Sequence, residues 1–188
     1  MTTAQLVREA RRGTGLTQRA LASKAGITQP ALADIERSAH DTRVSSLDRL
    51  VGAAGFKLFL LPTSRSAAAS WADLIFQELR SERRSDAVAF RALIGLSDDL
   101  TGAPGPLRVA LCVAAPPPCG DARFDAAIAA IVEYHLASDG LPLPEWLAEP
   151  TRTLAAPWAV SPYTEVSEVH KIFRRRGVLL AESELTSV

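Results

Sequence analysis

Gln18 and Gln29 each stand one residue past a threonine, Thr17 and Thr28. Each glutamine opens a short segment whose apolar residues recur at helical spacing. The Gln29 amide carries a donor and an acceptor together, the pattern that matches the major-groove edge of adenine. The methyl groups of Thr28 and Ala31 lie in the same stretch and suit the thymine methyl. Arg19, Arg37 and Arg43 flank it with the charge that phosphate oxygens attract. The chemistry on offer is hydrogen bonding and charge pairing. Against it stands a plainer reading of both glutamines, as solvent-facing residues at helix starts.

These groups need a frame. Gly15 to Arg37 reads GLTQRALASKAGITQPALADIER. Thr17 is a good N-cap, and Leu21 and Ala25 fall on one face of the helix it starts. Thr28 caps a second helix, with Leu32 and Ile35 on one face. Pro30 sits in its first turn, where no amide hydrogen is required. Ala25-Gly26-Ile27 is the tight connection, and Ala20, Ala22, Ala25, Ala31 and Ala33 are small enough for close helix packing. This is the pattern of a helix-turn-helix, whose second helix enters the major groove with its first residues at the base edges.

A helix is expected before this pair, from about Thr3 to Arg12, with Leu6, Val7 and Ala10 inward. A fourth is expected from Arg43 to Ala54, with Leu47, Leu50 and Val51 inward, a cap at Ser45 or Ser46, and a stop at Gly55. Phe56 to Leu61 has the look of a short strand ended by Pro62. Such a strand needs a partner, either its own copy in a second subunit or a strand from the rest of the chain. A symmetric homodimer reading half-sites about 34 Å apart fits the first option.

Leu16-Thr17-Gln18, Leu21-Ala22, Ala25-Gly26-Ile27-Thr28-Gln29 and Ile35-Glu36-Arg37 resemble the xenobiotic-response-element, phage-repressor-like helix-turn-helix family. The resemblance covers about the first third of the chain and implies binding to double-stranded operator DNA. It implies that Gln18 contacts backbone phosphate. It further implies that Arg11, at the end of the first helix, pairs with Glu36 after the recognition helix. Ala33 and Asp34 stand where relatives often carry serine or a basic residue. Ser38, then Ala39 and His40, stand where many have glycine after the arginine.

Charge is uneven although the net is zero. Residues 1–57 hold nine Lys/Arg and five Asp/Glu, while residues 58–188 hold twelve and sixteen. A basic front suits phosphate, and an acidic remainder suits another task. No apolar run approaches the roughly 18 residues of a membrane span. MTTAQLVREARR has no apolar core of a signal peptide, so a cytoplasmic protein is expected. Cys112 and Cys119 have prolines between them and no histidine pair nearby, which does not favour a disulfide or metal site. His40, His135 and His170 lie in three separate segments. With no phosphate-cradling glycine loop and no ligand cluster, neither catalysis, cofactor nor metal is expected.

The expected architecture is mainly α. Residues 1–62 form a four-helix helix-turn-helix domain with a trailing strand. Residues 63–70, TSRSAAAS, form a linker, and residues 71–188 a mostly helical partner-binding domain. Helices are expected from about Trp71 to Arg83, Ser85 to Leu100, Asp121 to Ala137 and Thr164 to Arg176. Leu107 to Ala115 reads equally as helix or strand. His135 reads as a histidine at the edge of the core, and Trp146 and Trp158 as loop anchors. Val178 to Leu180 reads as extended.

Phe124-Asp125-Ala126-Ala127, Gly140 to Trp146, Pro157-Trp158 and Phe173 to Val178 resemble the C-terminal half of actinobacterial helix-turn-helix proteins similar to antitoxins encoded beside a nucleotidyltransferase-like toxin. That resemblance implies a cognate toxin as partner, met by this half of the chain. Arg174, Arg175 and Arg176 would then face acidic groups of the partner or its substrate. Equally, they are what a helix C-terminus favours on electrostatic grounds alone. The alternative reading of the whole is a stand-alone dimeric repressor whose second domain senses a ligand or only dimerises.

Overall fold

The computed structural model describes residues 2–37, 42–160 and 164–185. The chain divides into two compact units, Met1–Leu61 and Pro62–Val188. It is mainly helical.

The first unit holds α1 (Thr3–Gly13), α2 (Gln18–Lys24), α3 (Gln29–Glu36) and α4 (Val44–Ala53). Thr2 and Gln5 form a capping box at the start of α1. The Thr17 hydroxyl accepts from the Ala20 amide at 3.1 Å, and the Thr28 hydroxyl from the Ala31 amide at 3.4 Å. Each cap satisfies an amide that the helix start leaves without a partner. Between α2 and α3, Gly26 has φ +66°, a left-handed conformation that suits glycine. Val7, Leu21, Ala22, Leu32, Leu50 and Val51 meet in the core, where the alanines allow close approach. Both serines expected to cap α4 fall inside its first turn, because the helix already begins at Val44 with Arg43 at the cap position and no side-chain cap bond.

The strand expected at Phe56–Leu61 is not formed. That run is irregular, since strand geometry is held by a neighbour's hydrogen bonds and the described residues of one chain supply none. Leu58 packs against the core, while Phe56, Leu60 and Leu61 are exposed and Phe59 is 80% exposed. Ser38 to His40, noted above for their departure from the family pattern, lie outside the described residues.

The second unit is built around α8 (Ala122–Ser138), after α5 (Ala68–Arg80), α6 (Asp86–Thr101) and α7 (Gly105–Cys112). Every residue from Ala126 to Val132 is fully buried, so α8 is apolar all round and needs neighbours on each side. α5, α6, α7 and α9 (Lys171–Arg175) pack against it. β1 (Trp158–Ala159) and β2 (Val178–Leu179) pair in parallel, Trp158 opposite Val178. Gly177 feeds β2 with φ +72°, and a Cβ there would meet the Leu154 Cβ at 2.9 Å. The ambiguous Leu107 stretch lies on α7 as helix.

Two expectations are corrected. The small-residue run 63–70 is no free tether: α5 begins at Ala68, which is fully buried, and the Ser66 amide donates to Asp99 Oδ2 at 2.9 Å. Alanines that read as loop are here a close-packing helix face. The long last helix breaks into a 3-10 turn, Val166–Glu168, and the short α9, whose N-cap is His170. Cys112 and Cys119 are both buried and unbridged. Burial pushes the Cys112 thiol up to about 12.

Candidate nucleic-acid interface

The first unit positions its polar groups through one buried carboxylate. Glu36, the last residue of α3, is 3% exposed. Its Oε1 accepts from Arg11 Nε at 2.7 Å and its Oε2 from Arg11 Nη2 at 3.0 Å. Gln18 Nε2 donates to the same Oε2 at 2.8 Å. Arg8 donates to the Glu36 carbonyl, and Arg11 Nη1 to the Leu16 carbonyl at 3.1 Å. Burial by itself would raise the Glu36 pKa. The hydrogen bonds from Arg11 and Gln18, with the charges of Arg11 and Arg8, outweigh it and hold the carboxyl below its ordinary range. One side chain thereby ties α1, the start of α2 and the end of α3 together, and fixes how α3 stands on the unit.

Beside this clamp, Thr28, Gln29 and Ala31 are exposed at the start of α3. Arg19, the second residue of α2, and Arg43, before α4, are exposed as well. Arg37, just past α3, is exposed and ion-paired with Asp34, and its Nε donates to the Ala33 carbonyl at 3.2 Å. The acidic Asp34 is thus answered from within the same helix end. Gln18 is placed differently from the rest. It is half-buried, with its amide nitrogen committed to Glu36. The family resemblance implied the Arg11–Glu36 pair and did not include Gln18 as its third member. The signal lay in the position of Gln18, at the start of a helix packed against the end of the next.

Residues 7–60 match the helix-turn-helix family model. Helix-turn-helix domains are DNA-binding regulatory modules, and the match supports a sequence-specific DNA-binding regulator. It runs from within α1 through α4 and does not extend into the second unit. The comparison with curated proteins and that with solved structures each found no match. No helix among the described residues is long and apolar enough to cross a membrane.

Outside the helix-turn-helix domain, the arginines 174 to 176 do not act as a set. Arg176 is 6% exposed, and its Nε donates to Glu133 Oε2 at 2.7 Å. It also donates to the Arg152 and Leu147 carbonyls, each at 3.0 Å. The expectation that Arg176 faces a partner is therefore corrected: it is a buried strut between α8 and the loops. Arg175 is exposed and pairs with the other oxygen of Glu133, while Arg174 is exposed. His135 is buried, with Nε2 at 2.9 Å from Ser97 Oγ. Burial first, and Arg108 second, push its pKa down to about 4, so the ring is neutral at neutral pH.

Proposed function

We propose that this protein is an operator-binding antitoxin of the cytoplasm. Residues 1–62 are its DNA-binding domain, and the remainder neutralises a cognate, nucleotidyltransferase-like toxin. The observation that carries the DNA half is the exposed start of α3, where Thr28, Gln29 and Ala31 stand on a helix clamped by Glu36. Gln29 reads adenine, and Thr28 and Ala31 touch thymine methyls. Arg19, Arg37 and Arg43 meet phosphates, and Gln18 orients the pair of helices beside the backbone. Binding as a homodimer is supported by Phe56 to Leu61, an apolar run with strand-like composition and large exposed side chains. Pairing with its copy would supply the missing ladder.

The antitoxin half rests on the resemblance of the second unit and on the acidic balance of residues 58–188. Arg174 and Arg175 are the arginines of the run still offered to a partner. Co-expression with the product of the neighbouring gene tests it. Growth rescue and a stable complex support the role, and no rescue with no complex removes it. The dimer is tested by Phe59→Asp, which should leave monomers in sedimentation and weaken full-operator binding far more than half-site binding. A second reading, a repressor that senses a small ligand, is favoured by a groove on the second unit.

A further inference from the structure

The helices α5 and α6 flank an open, apolar groove of about 590 Å3, within the roughly 300–1,000 Å3 of small-molecule sites. Its aromatic wall is Trp71. The benzo end of the indole lies on Gly95, where a Cβ would come within 2.4 Å of Cη2. The indole Nε1 donates to Asp99 Oδ2 at 3.0 Å, and the same oxygen holds the Ser66 amide. The ring is therefore fixed before any ligand arrives. Leu74 and Val88, each near half exposure, and Ala92 complete the apolar lining.

Two charged side chains reach this groove, Glu78 from α5 and Arg91 from α6. Glu78 turns Oε1 to the Ser85 amide at 3.2 Å. Arg91 is exposed, and among the described residues no carboxylate pairs with it. An apolar slot with a fixed indole and an unanswered guanidinium selects a flat ring bearing a carboxylate.

We propose that this groove binds a small aromatic carboxylate, its ring against Trp71 between Leu74 and Val88 and its carboxylate on Arg91. The site goes beyond the proposed DNA and toxin functions and stands whether or not they hold.

The test is calorimetry on the full chain with 2-naphthoate, paired with the Trp71 indole N–H resonance. One-to-one binding and a shift of that resonance are expected. Arg91→Gln should weaken binding about five- to tenfold, the size of one charge-assisted hydrogen bond at a partly exposed site. The neutral isostere 2-naphthalenemethanol should lose a similar factor on the native chain and nothing further on Arg91→Gln. Leu74→Glu, at an exposed position that leaves the fold intact by circular dichroism, should abolish binding. No binding at millimolar probe overturns the proposal. So does equal affinity in Arg91→Gln, or tighter binding of 2-naphthylmethylamine, which would make Glu78 the deciding charge.

Discussion

Removal of the Glu36 carboxylate should cost the first unit at least about a third of its stability and leave the second unit alone. Glu36→Ala strands the Arg11 guanidinium, 13% exposed, with only the Leu16 carbonyl, and strands the Gln18 amide as well. Breaking a buried pair from one side costs about 3–5 kcal/mol. A unit of this length holds roughly 3–9 kcal/mol in total, at about 0.05–0.15 kcal/mol per residue. The variant should therefore keep at most about 6 kcal/mol, and at the lower end of that range it passes its midpoint without denaturant. Glu36→Gln keeps an acceptor and loses the charge, and should cost about 1–3 kcal/mol. The two units can be read apart in one sample. Trp71, Trp146 and Trp158 all belong to the second unit, so tryptophan fluorescence follows that unit while far-ultraviolet dichroism follows both. In urea, the first step in the dichroism of Glu36→Ala should move to lower concentration or vanish, and the fluorescence midpoint should stay put. The same reasoning fixes an acid limb. The folded Glu36 pKa is lowered, so its stabilisation is complete above the unfolded value of about 4.3 and is lost as pH falls through the lower folded value. A Glu36→Ala cost under about 1 kcal/mol would refute the clamp.

Three further outcomes are expected. Gln29→Ala should reduce discrimination between operator and random duplex by about 1–3 kcal/mol, measured by competition binding; an unchanged ratio removes the base-reading role. Arg37→Ala should weaken all duplexes alike and flatten the salt dependence by about one unit, checked by titration across salt concentrations; a loss confined to the operator contradicts a phosphate contact. His135 has a folded pKa of about 4, below its unfolded value, so protonation favours unfolding. Its stabilisation is full above about pH 6.5 and falls by up to about 3 kcal/mol towards pH 4; His135→Gln should remove that slope from fluorescence-monitored stability.

The helix-turn-helix was legible because its signals are local. Thr17, Thr28, Gly26 and Pro30 each act within a turn or two, and the alanine spacing follows from packing two helices closely. The second unit was legible where a helix is long and free of proline, as α5, α6 and α8 are. Arg176 read as part of a partner-facing or helix-terminal run because its true partner, Glu133, is remote in sequence. Nothing local tells a buried arginine from an exposed one. The run TSRSAAAS failed for a related reason: small residues mark both flexible loops and tight helix contacts, and only Asp99, on another helix, decides between them. Phe56 to Leu61 has the composition of a strand, but a strand is a relation between two segments.

Each unit uses the same device to orient a helix end. A carboxylate, Glu36 or Glu133, is buried and answered by an arginine that is nearly as buried, Arg11 or Arg176. The device has a consequence for the basic head. Arg8 and Arg11 are drawn inward to Glu36, and Arg37 is offset by Asp34. The positive excess read from composition therefore overstates the charge offered to a duplex. Three phosphate contacts, by Arg19, Arg37 and Arg43, would give a salt slope near about −3 per head. So shallow an electrostatic term leaves a single head weak. In the proposed homodimer, operator affinity would come from the α3 contacts and from two heads held together, each raising the effective concentration of the other. On this view the exposed apolar run after α4 matters to DNA binding as much as α3 does, although it need touch no base.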